Sequence, residues 1–203
     1  KDKQELYPLY LIQCANCGNV ELPVVVNPEI LYGKYIYETS ISLGLVEHYR
    51  SYADEIVAFA QPRPGSLVID VGSNDGTLLR AFQAKGFRVL GVDPAKDIAA
   101  KATNSGVFTI PSFLTGGLAL EIIKEHGHAS LVTANNVMAN IDDLDDFVTS
   151  IRSLLEPNGV FVFESGYLAD LMRHTIIDNI YHEHLSYFSV RPLVSFFQRN
   201  GLE

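Results

Sequence analysis

"LVIDVGSNDGTLLRAF", Leu67–Phe82, decides the fold. It opens on a short β-branched run, passes through a glycine-containing turn and continues as "TLLRAF", with apolar residues at helical spacing. Strand, tight loop and helix in that order begin a βαβ unit. Gly72 and Gly76 let the backbone turn sharply and approach a ligand closely. In open parallel sheets ligands sit beyond the carboxyl ends of the strands, beside helix N-termini, so this loop is the first candidate site. Its spacing is not G-x-G-x-x-G, and the dinucleotide fingerprint is therefore absent. Asp70 ends the strand, and Asn74 and Asp75 add polarity where a pyrophosphate would prefer bare amides. An acidic loop suits a cationic or amine-bearing ligand.

Downstream, strand and helix patterns alternate. "FRVLGVD", "VFTI", "ASLVTANNV" and "GVFVFE" read as strands. "AKDIAAKATNSG", "LALEIIKEHG" and "DDLDDFVTSIRSLL" read as helices, the last with acids at its positive end. The pattern predicts an α/β, Rossmann-like fold with a mostly parallel sheet and helices on both faces. Asp93 and Pro94, in "GVDPA", end the second strand, where an acid is placed to accept hydrogen bonds from ribose hydroxyls. Asn135 and Asn136 end the fourth strand and face the same crevice, although asparagines at turns also bond their own backbone. An acidic first loop with a ribose-directed acid fits S-adenosylmethionine, whose amino-acid end and sulfonium are cationic. The other reading is that these acids only cap strand ends.

Upstream, Leu45, Tyr49, Tyr52, Ile56 and Phe59 recur at amphipathic spacing over a linker helix, 43–60, which "QPRPG" stops. Residues 1–42 show short apolar runs broken by Pro, Gly and Asn, and read as a small irregular or β-rich module ahead of the main domain, 43–203. Segments near Leu168–Thr175 and Arg191–Asn200 also look helical.

The chain has 203 residues, 47% of them hydrophobic and 19% charged, which permits a buried core. A formal net charge of -9 with no basic stripe argues against nucleic-acid binding. No apolar run has membrane-spanning length, and "KDKQELYPLY" does not read as a signal peptide, so a cytoplasmic location is expected, without membrane association. The start at Lys1 and the stop just after Asn200-Gly201 suggest a piece of a longer polypeptide.

With these residues in hand, the chain resembles the sugar C-methyltransferases that act on nucleotide-linked keto-deoxysugars. The resemblance rests on "YIYETS", "IDVGSNDGTLL", "GVDPA", "ANNVMANIDDLDDF", "GVFVFE" and "IYHEHLSYFS", together with an upstream C-x-x-C, Cys14 and Cys17. It implies a class I methyltransferase domain using S-adenosylmethionine, between an N-terminal zinc-binding module with two C-x-x-C pairs and a further C-terminal domain. Here only one pair is present, and the C-terminal domain is expected to be missing. By this resemblance the substrate is a sugar nucleotide, methylated at the carbon alpha to a ketone. His184 is then the base, Glu183 and Tyr181 support it, and Tyr37 reaches in from the first module. One departure is Asn140, where such proteins usually carry His.

The residues themselves leave alternatives open. On an extended strand Tyr181 and Glu183 would face one way, and His182 and His184 the other. The aromatics in this stretch also fit a packed core with satisfied polar tips, and Glu183 with His184 fits a structural hydrogen-bonded pair. A metal on His182 and His184 lacks the H-E-x-x-H spacing. Cys14 and Cys17 read as half a zinc site, since a closed structural site needs four ligands and the chain has no other cysteine. Methylation of oxygen or nitrogen on another small molecule, or a noncatalytic S-adenosylmethionine-binding domain, are the competing functions.

Overall fold

The computed structural model describes residues 5–33 and 35–203; the part of the expected 1–42 module on Lys1–Gln4 and Lys34 lies outside them. Two short strands, β1 (Ile12–Gln13) and β2 (Val20–Glu21), flank the turn that carries Cys14 and Cys17. Helix α1 (Pro28–Tyr32) starts where the Asn27 side chain accepts the Glu29 amide, with Pro at a position that needs no donor. A single 3-10 turn at Thr39–Ile41 leads into α2 (Leu45–Ala60). That helix buries Ala53 and Ile56 and leaves Phe59, expected on the same face, 80% exposed.

The alternating part follows as read. Strands β3 (Leu67–Val71), β4 (Arg88–Val92), β5 (Thr109–Ile110), β6 (Ala129–Asn135) and β7 (Leu155–Glu164) form one parallel sheet in the order β5-β4-β3-β6-β7. Between them run α3 (Thr77–Ala84), α4 (Lys96–Asn104), α5 (Gly116–His126) and α6 (Leu144–Leu154). Central β3 is buried along its whole length. Its Leu67, Ile69 and Val71 pack with Ile122, Phe147 and Ile151 on one face, while Val68 packs with Leu79, Phe82 and Ile56 on the other. Covered faces explain why Leu67, Val68 and Ile69 read as a continuous apolar run rather than an alternating one. Phe82 is fully buried, so its truncation to Ala would cost about 3–5 kcal/mol. The last strand begins earlier than "GVFVFE", at Leu155, with an irregularity in its pairing between Ala129 and Leu131.

Beyond the sheet lie α7 (Leu168–His174), β8 (Ser186–Tyr187) and α8 (Val190–Arg199). Strand β8 pairs antiparallel with β2, Val20 opposite Tyr187 and Glu21 opposite Ser186. The three-stranded sheet β1-β2-β8 therefore joins strands from the N-terminal and C-terminal parts of the chain. Among the described residues no helix is long and apolar enough to cross a membrane.

Candidate active site

Beyond the ends of β3, β4 and β6 lies a cavity of about 290 Å³. Gly72, Asn74, Asp93 and Pro94 form its wall on one side, and Asn135, Asn136 and Asn140 another. Tyr32, Tyr35, Tyr37 and Thr39 close it from the N-terminal part of the chain, and His182 and Glu183 from the C-terminal part. No Lys or Arg lines it among the described residues, whereas Asp93, Asp142 and Glu183 do.

Gly72 sits at φ +72°, and a Cβ there would come within 2.3 Å of Val137 Cγ2, so the loop can pass this close only as glycine. Asp93 accepts the Asn74 amide at 2.8 Å and the Ala95 amide at 2.9 Å, one on each oxygen. Burial pushes its carboxyl above the usual range, and these two amides pull it back. At the far wall the Tyr52 hydroxyl donates to Asn135 Oδ1 at 2.8 Å, and buried Asn135 Nδ2 has no partner among the described residues. Asn140 Oδ1 is likewise buried and unpaired.

Three residues expected to meet a cofactor stand off the cavity. Asp70 is buried and accepts the Thr133 hydroxyl at 2.6 Å, inside the sheet. Gly76 (φ +78°) caps α3 close against Val107. Asp75 accepts the Thr77 amide and hydroxyl on one oxygen and the Ser40 amide on the other, at 3.0, 2.6 and 2.9 Å. Burial pushes its carboxyl up, but the bonds from Ser40 and Thr77 outweigh that and hold it below the usual range. The acidity of the loop is therefore consumed within the protein: Asp75 holds an N-terminal segment and a helix start rather than facing a ligand.

The Tyr-His-Glu-His stretch is mostly irregular, and it divides. His182 and Glu183 border the cavity, and His182 Nε2 lies 3.1 Å from the Pro8 carbonyl. Tyr181 and His184 do not border it. His184 lines a smaller neighbouring cavity of about 110 Å³ with Ser165 and Asn179, and the two cavities share Asn136 and Asn140 as a common wall. Tyr37 borders the main cavity, with its hydroxyl 2.7 Å from Ser42 Oγ. Tyr32, Tyr35, Tyr49 and Tyr52 also gather here. The aromatic density of "YGKYIY" hints at Tyr32 and Tyr35, whereas Tyr49 and Tyr52 read in the sequence only as part of the apolar stripe of a helix. Burial and the nearby Glu183 raise the pKa of Tyr32 and Tyr35, so both hydroxyls stay protonated as donors.

Residues 45–203 match the family model described as a methyltransferase domain. The chain belongs to that family. This methyltransferase domain is also 37% identical to the C-methyltransferase NovU of Streptomyces niveus over 199 residues, 98% of the chain and 47% of that protein. The chain thus spans about half the length of the curated relative it matches. Among solved structures it is similar to YcgJ from Bacillus subtilis, with a TM-score of 0.60 at 16% identity, covering 76% of this chain and 68% of that one. It is similar too to magnesium protoporphyrin IX methyltransferase from Synechocystis PCC 6803, solved with S-adenosylhomocysteine bound, with a TM-score of 0.58 at 18% identity, covering 85% and 81%.

The methyltransferase domain's cavity fits S-adenosylmethionine. Among the described residues it has a glycine wall that a Cβ would block, an acid at the end of β4, unpaired buried polar atoms on Asn135 and Asn140, and no cations positioned for a phosphate. Zinc does not fit in the same way. Among the described residues no group of three or more His, Cys, Asp or Glu is placed to hold a metal. Cys14 and Cys17 sit on a turn closed by the Gly18 amide on the Cys14 carbonyl at 2.9 Å, two thiols where a closed structural site needs four ligands.

Proposed function

We propose that this chain is the cofactor-binding part of an S-adenosylmethionine-dependent C-methyltransferase. Its acceptor would be a nucleotide-linked keto-deoxysugar, methylated at the carbon alpha to the ketone. The observation that supports this most is the two-sided cavity. Strand ends with Asp93, Gly72 and Asn135 form a cofactor side, and tyrosines with His182 and Glu183 form an acceptor side. The cofactor, when bound, supplies an electrophilic methyl group. The protein must supply a base for a carbon-bound proton and donors for the enolate that results.

We assign the base to His184 acting with Tyr181. Their contact puts a proton-accepting nitrogen and a phenol in one pair next to Asn140, where the two cavities meet. Tyr35, held protonated, would be a donor to an enolate oxygen, and Tyr32 would join it by turning its hydroxyl from the Glu183 carbonyl, to which it donates at 3.4 Å. Asp93 would take the ribose hydroxyls, with the lone pairs its two amide contacts leave over. Methylation at oxygen or nitrogen has one observation in its favour, since Glu183 borders the main cavity and could take a proton from a hydroxyl or amine.

Calorimetric titration with S-adenosylhomocysteine, with NAD as control, tests the cofactor. Binding of the first that is lost in Asp93→Ala supports the reading, and binding of NAD alone overturns it. Solvent deuterium entering the acceptor's alpha carbon, with His184→Ala abolishing that exchange, separates carbon methylation from the alternative.

A further inference from the structure

Asn74 lines the cavity, and both polar atoms of its side chain are engaged by the chain itself. Its Oδ1 accepts the Thr39 amide at 2.8 Å, and its Nδ2 donates to the Tyr37 carbonyl at 2.9 Å. The next residue repeats the pattern, with Asp75 accepting the Ser40 amide at 2.9 Å. Two consecutive side chains of the β3–α3 loop thus hold two consecutive amides of a strap, residues 35–42, and Glu38 on that strap pairs with Lys101 of α4. The strap carries Tyr35, Tyr37 and Thr39 onto the acceptor side of the cavity. At its other end Asn74 is tied to the cofactor side, because its own amide is held by Asp93 Oδ2 at 2.8 Å. Asn74 adopts φ +50°, a left-handed conformation that asparagine tolerates better than most residues.

We infer that Asn74 is a positioning residue that latches the strap and couples it to Asp93, so that cofactor binding fixes the tyrosine wall before the acceptor enters. The coupling rests on the cofactor assignment above; the latch does not. A cofactor hydroxyl bonded to Asp93 restrains that carboxylate, which restrains the Asn74 backbone and through its side chain the strap. Asn74 would touch neither the reacting atoms nor, through its amide group, the cofactor.

Two variants test this on the full-length protein. Asn74→Gly deletes the side chain while keeping the left-handed backbone accessible. Thr39→Pro deletes the amide that Asn74 holds. It leaves the loop untouched and suits the site, since Glu38 is already extended and Thr39 opens a helical turn. In both, S-adenosylhomocysteine should bind within about threefold of wild type. Exchange of the Ser40 amide should accelerate about tenfold or more, and the KM for acceptor should rise more than kcat falls. S-adenosylhomocysteine should slow that exchange in wild type and not in Asn74→Gly. A cofactor affinity about tenfold weaker with unchanged strap exchange would make Asn74 a cofactor ligand and overturn the proposal. Unchanged strap exchange in both variants, or equal protection by ligand in wild type and Asn74→Gly, would also overturn it. If wild type binds no S-adenosylhomocysteine, the cofactor reading fails, and strap exchange in the unliganded variants still decides the latch.

Discussion

The Tyr181 hydroxyl lies 3.0 Å from Nε2 of His184, and the other ring nitrogen of that histidine lies 3.0 Å from the Asn179 carbonyl. A carbonyl can only accept, so Nδ1 carries a proton, and in the neutral ring Nε2 presents its lone pair to the phenol. The pair is therefore oriented as a base with a hydroxyl at its free nitrogen, and the His184 ring also borders the smaller cavity. Tyr187 contacts the same carbonyl at 3.4 Å, which braces the arrangement from behind.

From that geometry, Tyr181→Phe and His184→Ala should each lower kcat by about 10²-fold or more, the scale of a positioned acid–base group. Affinity for S-adenosylhomocysteine should stay within about threefold, because neither side chain borders the main cavity. Single-turnover kinetics alongside calorimetry would separate the two quantities. Full activity in His184→Ala would move the base to Glu183 and favour an oxygen or nitrogen acceptor.

Gly72→Ala should destabilise the domain by about 2–4 kcal/mol, combining the left-handed penalty with overpacking. The added methyl would lie 2.3 Å from Val137 Cγ2. Pairing it with Val137→Ala should recover the overpacking part and leave the backbone part. Urea unfolding of the two single variants and the double variant reads this as a coupling energy. Purely additive effects would mean that the loop relaxes away from Val137.

Much of the fold is legible because its signals are local. Leu67–Val71 is a buried parallel strand, and a run of β-branched residues before a glycine turn announces that without tertiary information. Asp93 and Asn135 reach the cavity because strand ends in parallel sheets share one edge. What the sequence hides is pairing across distance. Nothing near Asn74 or Asp75 announces that Thr39 and Ser40 will take their side chains, so an acidic loop read as ligand-facing turns out to be engaged by the chain itself. The Tyr181–Ser186 stretch resists reading for a related reason. Its backbone is pinned by distant carbonyls and amides, Leu185 donating to Ala139 and accepting from Leu22, and His182 lies against the Pro8 carbonyl. Phe59 falls off the α2 face because periodicity marks a stripe, whereas the packing partner decides how much of it is covered.

Asp70 gives a pH signature with a definite sign. Burial pushes its carboxyl up to about 7, helped by nearby Asp93 and opposed by the Thr133 hydroxyl, against about 3.9 in an unfolded chain. Between those values the folded protein holds a proton that the unfolded chain has released, so stability falls as pH rises from about 4 to about 7. The contribution is fully present at the acid end and lost once the pH passes the folded value, with a ceiling of about 4 kcal/mol from the size of the shift. Asp70→Asn cannot titrate and still offers an oxygen to Thr133. Any penalty from its extra donor is constant with pH, so the difference in unfolding free energy, wild type minus variant, should decline across that interval and flatten above it. Urea unfolding at closely spaced pH values measures that difference directly. A flat difference from pH 4 to 7 would mean that Asp70 is ionised equally in both states, and that its bond to Thr133 offsets the burial completely.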